Sequence, residues 1–123
     1  MTASGEFDVF TTGCPSRQVL EHVTSRWGVL ILDALSERTY RFNELGRRVG
    51  GVSEKMLAQT LRTLERDELV QRTSHPQIPP RVEYCLTPRG REASRLLAVL
   101  VGWVEKETPS ILVSNRAFDQ TRS

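Results

Sequence analysis

One stretch of the chain combines side chains that can hydrogen-bond to bases and neutralise phosphates. Lys55, Gln59 and Arg62 recur at steps of four and three residues, which places them on one face of an α-helix. The opposite face would carry an apolar stripe of Leu57, Leu61 and Leu64. Amide and guanidinium groups can bind base edges, and Lys and Arg neutralise phosphates. Such a face is also common as a plain solvated surface, so its interpretation depends on the elements around it.

The helix that would carry these side chains has a clear start and a turn before it. Ser53 is a good N-cap for a helix over about 54–66. Gly50-Gly51 separates it from a short helix predicted over 44–49, which Asn43 could cap.

Two more helices are predicted upstream. Pro15 suits the first turn of a helix. Apolar residues at steps of three and four predict a second helix over about 27–36, and a short β-prone link over 38–42 follows it.

Two β-prone segments, 69–73 and 82–86, come after the polar helix. The residues between them include three prolines and cannot be helical, so they predict a hairpin with a long tip, or wing. Arg81 follows Pro79-Pro80 and could reach a phosphate or the minor groove. The whole order predicts a winged helix-turn-helix, mainly α with a small β-wing (α+β).

Composition and charge agree with this interpretation. The 123 residues fit one domain, and the 26% charged and 38% apolar residues are ordinary for a globular protein. Between Arg41 and Arg81 there are eight basic and five acidic residues, a local charge of +3 in a chain of net charge +2. A basic middle is compatible with a polyanionic partner.

Other classes of protein find less support. No apolar stretch could span a bilayer and the start does not read as a signal peptide, so we expect a cytoplasmic protein without a membrane partner. Two cysteines without CxxC spacing and two histidines predict no metal site, and no cofactor is expected. Asp33, Glu37 and Glu44 fall on separate elements, which predicts no enzyme.

The ends of the chain define three segments. We expect a flexible arm over 1–13, the winged domain over 14–107 and a tail of uncertain order over 108–123. The last predicted helix, about 89–107, has a broad apolar stripe that includes Leu96, Leu100 and Val104. This stripe could cap the monomer's own core, but its length favours a dimer seam.

The chain resembles the HxlR-type regulators, relatives of the MarR group, from about residue 14 to 107. The resemblance rests on RFNELGRRVGGVSEKMLAQTLRTLE and on PPRVEY followed by LTPRG. It implies a homodimer on a palindromic operator, with the recognition helices about 34 Å apart. The implied DNA contacts are Arg41, Ser53, Lys55, Gln59, Thr60, Arg62 and Arg81, and Thr63 lies on the same polar face.

The match has a departure at the end of the recognition helix. Members of this family commonly have glycine where Glu68 stands, and glutamate tolerates the left-handed conformation poorly. We therefore expect this helix to end differently and the wing position to shift.

Two cysteines remain to be interpreted. Cys14 precedes Pro15 at the start of the first helix, where the helix end and Arg17 should lower the thiol pKa. Some HxlR-type regulators sense oxidants or electrophiles through a cysteine here, which makes Cys14 the redox candidate, with an inert thiol as the alternative. Cys85 should be exposed on the outer face of its strand and is expected to be inert.

The operator, the regulated genes, the direction of regulation and any effector are left open by these patterns. A winged-helix protein-interaction module without DNA binding is the alternative function. Its recognition helix would carry an apolar or acidic outer face rather than a cationic one.

Overall fold

A computed structural model describes residues 6–122, and its elements follow the predicted order. Five helices and three strands lie along this part of the chain: α1 (Pro15–Thr24), α2 (Arg26–Leu35), β1 (Tyr40–Arg41), α3 (Phe42–Arg48), α4 (Glu54–Arg66), β2 (Val70–His75), β3 (Arg81–Leu86) and α5 (Pro88–Arg122). Residues 1–5 of the predicted arm lie outside the described residues. The rest of the arm forms exposed turns, one closed by the Thr11 N–H donating to the Asp8 carbonyl.

The strands form a small antiparallel sheet in the order β1-β3-β2. Tyr40 of β1 pairs with Tyr84, and β2 runs against β3 from Val70↔Leu86 to His75↔Arg81. The predicted link over 38–42 therefore becomes the third strand of the wing sheet. This arrangement confirms the winged helix-turn-helix prediction.

The core lies where α2 meets α4, the sheet and the start of α5. Ile31 and Leu32 of α2, Leu45 of α3 and Leu64 of α4 are fully buried there. Burying a side chain of this size contributes about 1.5–3 kcal/mol, so this cluster fixes how α4 is oriented on the domain.

Two helix starts show how local sequence sets these elements. The Ser53 hydroxyl accepts a hydrogen bond from the Met56 N–H at 3.0 Å, which confirms it as the N-cap of α4. The predicted Asn43 cap of α3 is wrong, because that helix begins two residues earlier. Its N-cap is Arg41, whose N–H donates to the Glu44 carboxylate at 2.9 Å. A glutamate at the third helical position can satisfy this donor.

The expectation that α4 would end differently because of Glu68 is wrong. Glu68 adopts a left-handed conformation with φ 58°, and the Leu69 N–H donates to the Leu64 carbonyl at 2.9 Å. The Glu68 N–H also donates to the Glu65 carbonyl, which completes a Schellman motif. Leu64 and Leu69 are both buried, so their packing stabilises a conformation that glutamate alone would disfavour.

The last helix is longer than predicted. It runs from Pro88 to Arg122, through Pro109, so its predicted end near residue 107 is wrong. The segment whose order the sequence left open is helical as far as residue 122. A proline inside a helix removes one intrahelical hydrogen bond. The hydrogen bonds of the helical turns before and after Pro109 outweigh the loss of that one bond here. In the part of the chain that is described, no helix is long and apolar enough to cross a membrane.

Candidate nucleic-acid interface

The two faces of α4 differ as the sequence predicts. Leu57, Leu61 and Leu64 are at most 1% exposed and fix the helix to the core. The outward surface, called here the recognition face, carries the exposed side chains of Lys55, Gln59, Arg62 and Arg66. The helix is thus held by one stripe and presents hydrogen-bond donors on the other, as a helix in a major groove requires.

A tight turn places this helix against α3. Gly51 has φ +88°, a conformation that side chains rarely adopt, so glycine suits the turn between α3 and α4. Gly46 of α3 lies against the Leu57 side chain: a Cβ added there would be 3.4 Å from its Cδ2 atom. Small residues in the turn and in α3 therefore allow the two helices to pack closely.

The hydroxyl groups predicted to face DNA are partly engaged within the helix. Thr60 donates to the Met56 carbonyl at 2.8 Å, and Thr63 donates to the Gln59 carbonyl at 3.2 Å. Both threonines are half-buried, whereas Ser53 is exposed but occupied by its cap. These hydroxyls can still accept a hydrogen bond, so their capacity as donors is smaller than that of Gln59 or Arg62.

A cationic cleft lies beside the recognition helix, between α3 and the wing. Arg41, Arg47 and Arg81 line this space of about 470 Å³ and outnumber the single acidic residue of its lining, Glu44; Gln77 and Pro80 join from the wing tip. The structure thus brings the predicted Arg41 and Arg81 together. It adds Arg47, the sixth residue of α3, which the sequence analysis counted among the basic residues but did not select as a contact.

Arg81 is held at the base of the wing with unused hydrogen-bonding capacity. Its Nε atom is buried without a hydrogen-bond partner and lies 3.7 Å from Glu83 Oε2. The other oxygen of Glu83 is 2.8 Å from His75 Nε2. The side chain as a whole is 34% exposed, so the outer N–H groups of the guanidinium could donate to a phosphate oxygen.

The cations of this region fall into two groups. Arg48 pairs with Glu37 at 2.6 Å, and Arg38 lies 3.5 Å from Glu44. Hydrogen bonds from Arg48 and Tyr40 lower the pKa of Glu37 to about 2, so that pair keeps its charges near neutral pH. No ion pair within residues 6–122 neutralises a second group of cations, which comprises Arg41, Arg47, Lys55, Arg62 and Arg66.

Cys14 stands at the N-cap of α1, as predicted. Its pKa is lowered, first by the hydrogen bond with Ser16 Oγ at 3.2 Å and then by the Asp8 N–H, which donates to Sγ at 3.4 Å. The role predicted for Arg17 is wrong, because its guanidinium lies 3.6 Å from Glu21 and donates to the Phe10 carbonyl. Local turn geometry, rather than a neighbouring cation, favours the thiolate.

Helix α1 also touches the end of the recognition helix. His22 Nδ1 is 2.7 Å from Asp67 Oδ2, and Asp67 is the C-cap of α4. Sequence spacing could not indicate this contact, because the two residues are 45 positions apart. This contact therefore connects α1, whose N-cap is Cys14, with the helix that carries the recognition face.

The N-terminal half of α5 has apolar side chains that no other part of the described chain covers. Leu96, Val99, Leu100, Trp103 and Val104, called here the seam face, are all exposed and lie within a sector about 140° wide at 100° per residue. Val19 and Leu20 of α1 are also exposed. Contiguous apolar patches of this kind mark contact sites in soluble proteins.

Within the described residues, no group of three or more histidine, cysteine or acidic side chains could hold a metal ion. His22 and His75 each contact a single carboxylate.

Known proteins match this architecture over most of the chain. The model of the HxlR-like helix-turn-helix family matches residues 22–111. The helix-turn-helix transcriptional regulator YtfH of Escherichia coli K12 is 55% identical over 107 residues, which cover 87% of this chain and 85% of YtfH.

Solved structures agree with these sequence matches. The structure of ytfH from Salmonella typhimurium has a TM-score of 0.85 and 53% identity, covering 90% of this chain and 99% of that one. The oxidised form of the redox regulator HypR has a TM-score of 0.70 and 32% identity, covering 76% of this chain and 96% of HypR. The family consists of transcriptional regulators rather than enzymes. By sequence and by structure, this chain belongs to the HxlR-like helix-turn-helix transcriptional regulators.

Proposed function

We propose that this regulator acts in the cytoplasm as a homodimer that binds a palindromic DNA operator sequence-specifically, with α4 in the major groove. The observation that carries the proposal is the recognition face, whose cations have no carboxylate partner in the described chain. An exposed guanidinium without a partner can bind guanine through two hydrogen bonds without first breaking an ion pair.

Phosphate contacts are assigned to the cleft between α3 and the wing. Arg41, Arg47 and Arg81 converge there from a strand end, a helix and the wing. Charges on both sides of one cleft suit a backbone strand that runs between them, while α4 lies in the neighbouring groove. Within α4, Lys55, Gln59 and Arg62 are assigned to the bases or nearby phosphates, and Ser53, Thr60 and Thr63 to acceptor contacts.

Dimerisation is assigned to the seam face of α5. A monomer would leave Trp103 and four aliphatic side chains in water over this face. Covering them with the same face of a second chain would bury them at roughly 25 cal/mol per Å² of apolar area. An isologous dimer of this kind gives the two-fold symmetry that a palindromic operator matches.

The test begins with selection of bound sequences from a genomic fragment pool, followed by titration of the selected operator at several salt concentrations. Arg81→Ala should weaken binding to all sequences and reduce the slope of log K against log salt by about one, because one phosphate contact is lost. The matched control is Arg116→Ala on the distant part of α5, which should leave the slope unchanged. A selective loss at one base pair for Arg81→Ala would contradict the backbone role.

The alternative function is a protein-interaction module without DNA binding, which predicts no preference for any operator sequence. The outer face of α4 is cationic rather than apolar or acidic, which favours nucleic acid. Equal affinity for the selected operator and for unrelated duplexes at every salt concentration would overturn sequence-specific binding.

A second element of the proposal is that Cys14 makes DNA binding responsive to oxidants or electrophiles. Hydrogen bonds from Ser16 and Asp8 lower its pKa, and thiolates react faster with oxidants than thiols do. From Cys14, α1 leads to the His22–Asp67 contact at the end of α4. A shift of α1 on oxidation could therefore move the recognition helix, and the similar HypR is a redox regulator.

The redox response is tested with diamide, which would oxidise the Cys14 thiols of two chains to an intermolecular disulfide and is itself reduced to the hydrazine. Wild-type protein should lose operator affinity on treatment and recover it with dithiothreitol. Cys85→Ser, the matched control, should respond as the wild type does. A Cys14→Ser variant that still loses affinity, or a wild type that does not, would remove this element and leave DNA binding intact.

A further inference from the structure

A second cationic cleft lies on the other side of the sheet from α4. It has a volume of about 480 Å³ and is lined by the end of α2, the link before β1, the end of β3 and the first turns of α5. Tyr84 of β3 faces Ala58 and Leu61 of α4. Cys85 alternates to the opposite face, where it lines this second cleft. The cleft is therefore separate from the recognition face and from the cleft between α3 and the wing.

The charges around this space are one-sided. Arg38, Arg91 and Arg95 line it, and no described acidic residue does. Arg91 and Arg95 have no carboxylate partner within residues 6–122. Arg38 also lies 3.5 Å from Glu44, so the uncompensated charge of this cleft comes from Arg91 and Arg95. Their two guanidinium groups repel each other, and an anion placed in the cleft would offset that repulsion.

Two of the three arginines are already oriented by contacts within the chain. The Arg38 guanidinium stacks on the Tyr40 ring at 3.8 Å, and its Nη1 atom donates to the Thr39 carbonyl at 2.8 Å. Arg91 Nη1 donates to the Leu86 carbonyl at 3.1 Å. A guanidinium has five N–H donors, so both side chains keep donors for a ligand while their rotamers are restricted.

The rest of the lining is suited to an apolar body. Leu35 and Leu86 contribute aliphatic surface, and the thiol of Cys85 is half-buried between them rather than exposed as the sequence suggested. Ser94 is only 2% exposed and adds a hydroxyl at the wall of the cleft. Pockets that bind small molecules typically combine such apolar walls with a few placed polar groups and have volumes of about 300–1,000 Å³.

We propose that this cleft binds a small organic carboxylate, with the carboxylate between the guanidinium groups of Arg38, Arg91 and Arg95 and an apolar body against Leu35, Leu86 and Cys85. A carboxylate can accept two hydrogen bonds from one guanidinium, which a compact halide cannot. The apolar walls favour such a ligand over inorganic phosphate, which is also an anion but has no apolar group to pack against them. Binding at this cleft does not depend on the proposed mode of DNA recognition.

The experiment is a titration of the 15N-labelled 123-residue chain, followed by two-dimensional NMR. Benzoate is the probe, and inorganic phosphate at equal concentration is the second arm. We expect saturable shifts in the amide signals of Thr39, Cys85 and Arg95 with benzoate, and weaker binding of phosphate.

Arg95→Gln removes one charge-assisted contact and should raise the dissociation constant for benzoate about tenfold. Arg116→Gln changes the charge equally, farther along α5, and should leave that constant unchanged. The spectra themselves report whether each variant is folded.

Three results would overturn the proposal. The first is the absence of saturable shifts around the cleft at millimolar benzoate. The second is equal or tighter binding of phosphate, which would indicate an anion site without an apolar subsite. The third is an equal effect of Arg95→Gln and Arg116→Gln, which would indicate general charge attraction.

Discussion

Helices α4 and α5 are both amphipathic, yet they use their apolar faces in opposite ways. Leu57, Leu61 and Leu64 of α4 are buried within the chain, and the polar face of that helix is directed outward. On α5, Leu97 packs into the core, but the residues of the seam face are directed outward, with Leu96 72% and Val99 74% exposed. The packing of α4 is complete in one chain, whereas α5 has an apolar face that only a further surface can cover.

This difference separates two tasks within one domain. The buried stripe of α4 makes the direction of Arg62 and Gln59 a property of the monomer fold. The seam face of α5 would set the distance between two such helices. Changes in the α4 stripe should therefore act on folding, and changes in the seam face on assembly.

The largest expected effect comes from placing a charge on the seam face. Leu100→Asp would bury a carboxylate in the proposed dimer contact, where an unpaired charge costs about 3–5 kcal/mol. At about 1.4 kcal/mol per tenfold, the dimer dissociation constant should rise at least a hundredfold. Analytical ultracentrifugation at micromolar concentration measures this change.

Ala98→Asp is the matched control for that experiment. Ala98 is exposed on α5 but lies outside the seam face, so its variant should sediment as the wild type does. A folded, dimeric Leu100→Asp protein would show that the seam lies elsewhere.

The next effect concerns the stripe of α4. Leu61→Ala removes a side chain that is 1% exposed, and the cavity should lower the free energy of unfolding by about 2–5 kcal/mol. Ile78→Ala at the fully exposed wing tip should change it by less than about 0.5 kcal/mol. Urea unfolding of both variants gives the comparison. Similar losses for the two would contradict the assignment of the α4 stripe to the core.

A smaller effect is expected at the end of α4. Glu68 holds φ 58°, which costs a residue with a Cβ about 1 kcal/mol relative to glycine. Glu68→Gly should therefore raise the free energy of unfolding by up to about that amount. Glu68→Ala removes the charge but keeps the Cβ, so it should give no such gain. Stabilisation by alanine as large as that by glycine would indicate a charge effect instead.

The sequence predicted those parts of the fold that short-range patterns determine. The spacing of Leu57, Leu61 and Leu64 predicted α4 and its buried side, and the Ser53 cap predicted where that helix begins. The prolines of 76–80 predicted the tip of the wing. Local signals failed where packing outweighed them. Glu68 takes a glycine conformation because Leu64 and Leu69 pack around it, and Pro109 does not end α5.

The candidate surfaces depend on short-range patterns only in part. Spacing along one helix was enough to select Lys55, Gln59 and Arg62. It could not show that Arg47 joins Arg41 and Arg81, that Arg17 pairs with Glu21, or that His22 meets Asp67. Those contacts join elements distant in sequence, and only the folded chain brings them together.

The central claim is that the recognition face reads bases, and titration of Arg62→Ala against a set of operators tests it most directly. Wild type and variant are titrated with the selected operator and with duplexes carrying single base changes, at one salt concentration. Arg48→Ala is the control, since it removes an equal charge that Glu37 already neutralises. Circular dichroism shows whether each variant is folded.

For Arg62→Ala we expect a loss of about 1–3 kcal/mol on the operator and a smaller penalty for substitution at one base position, because a bidentate base contact is missing. Arg48→Ala should lose little and keep the full discrimination at every position. If Arg62→Ala binds the operator as tightly as the wild type, or discriminates every base position as well, α4 is not the helix that reads the sequence.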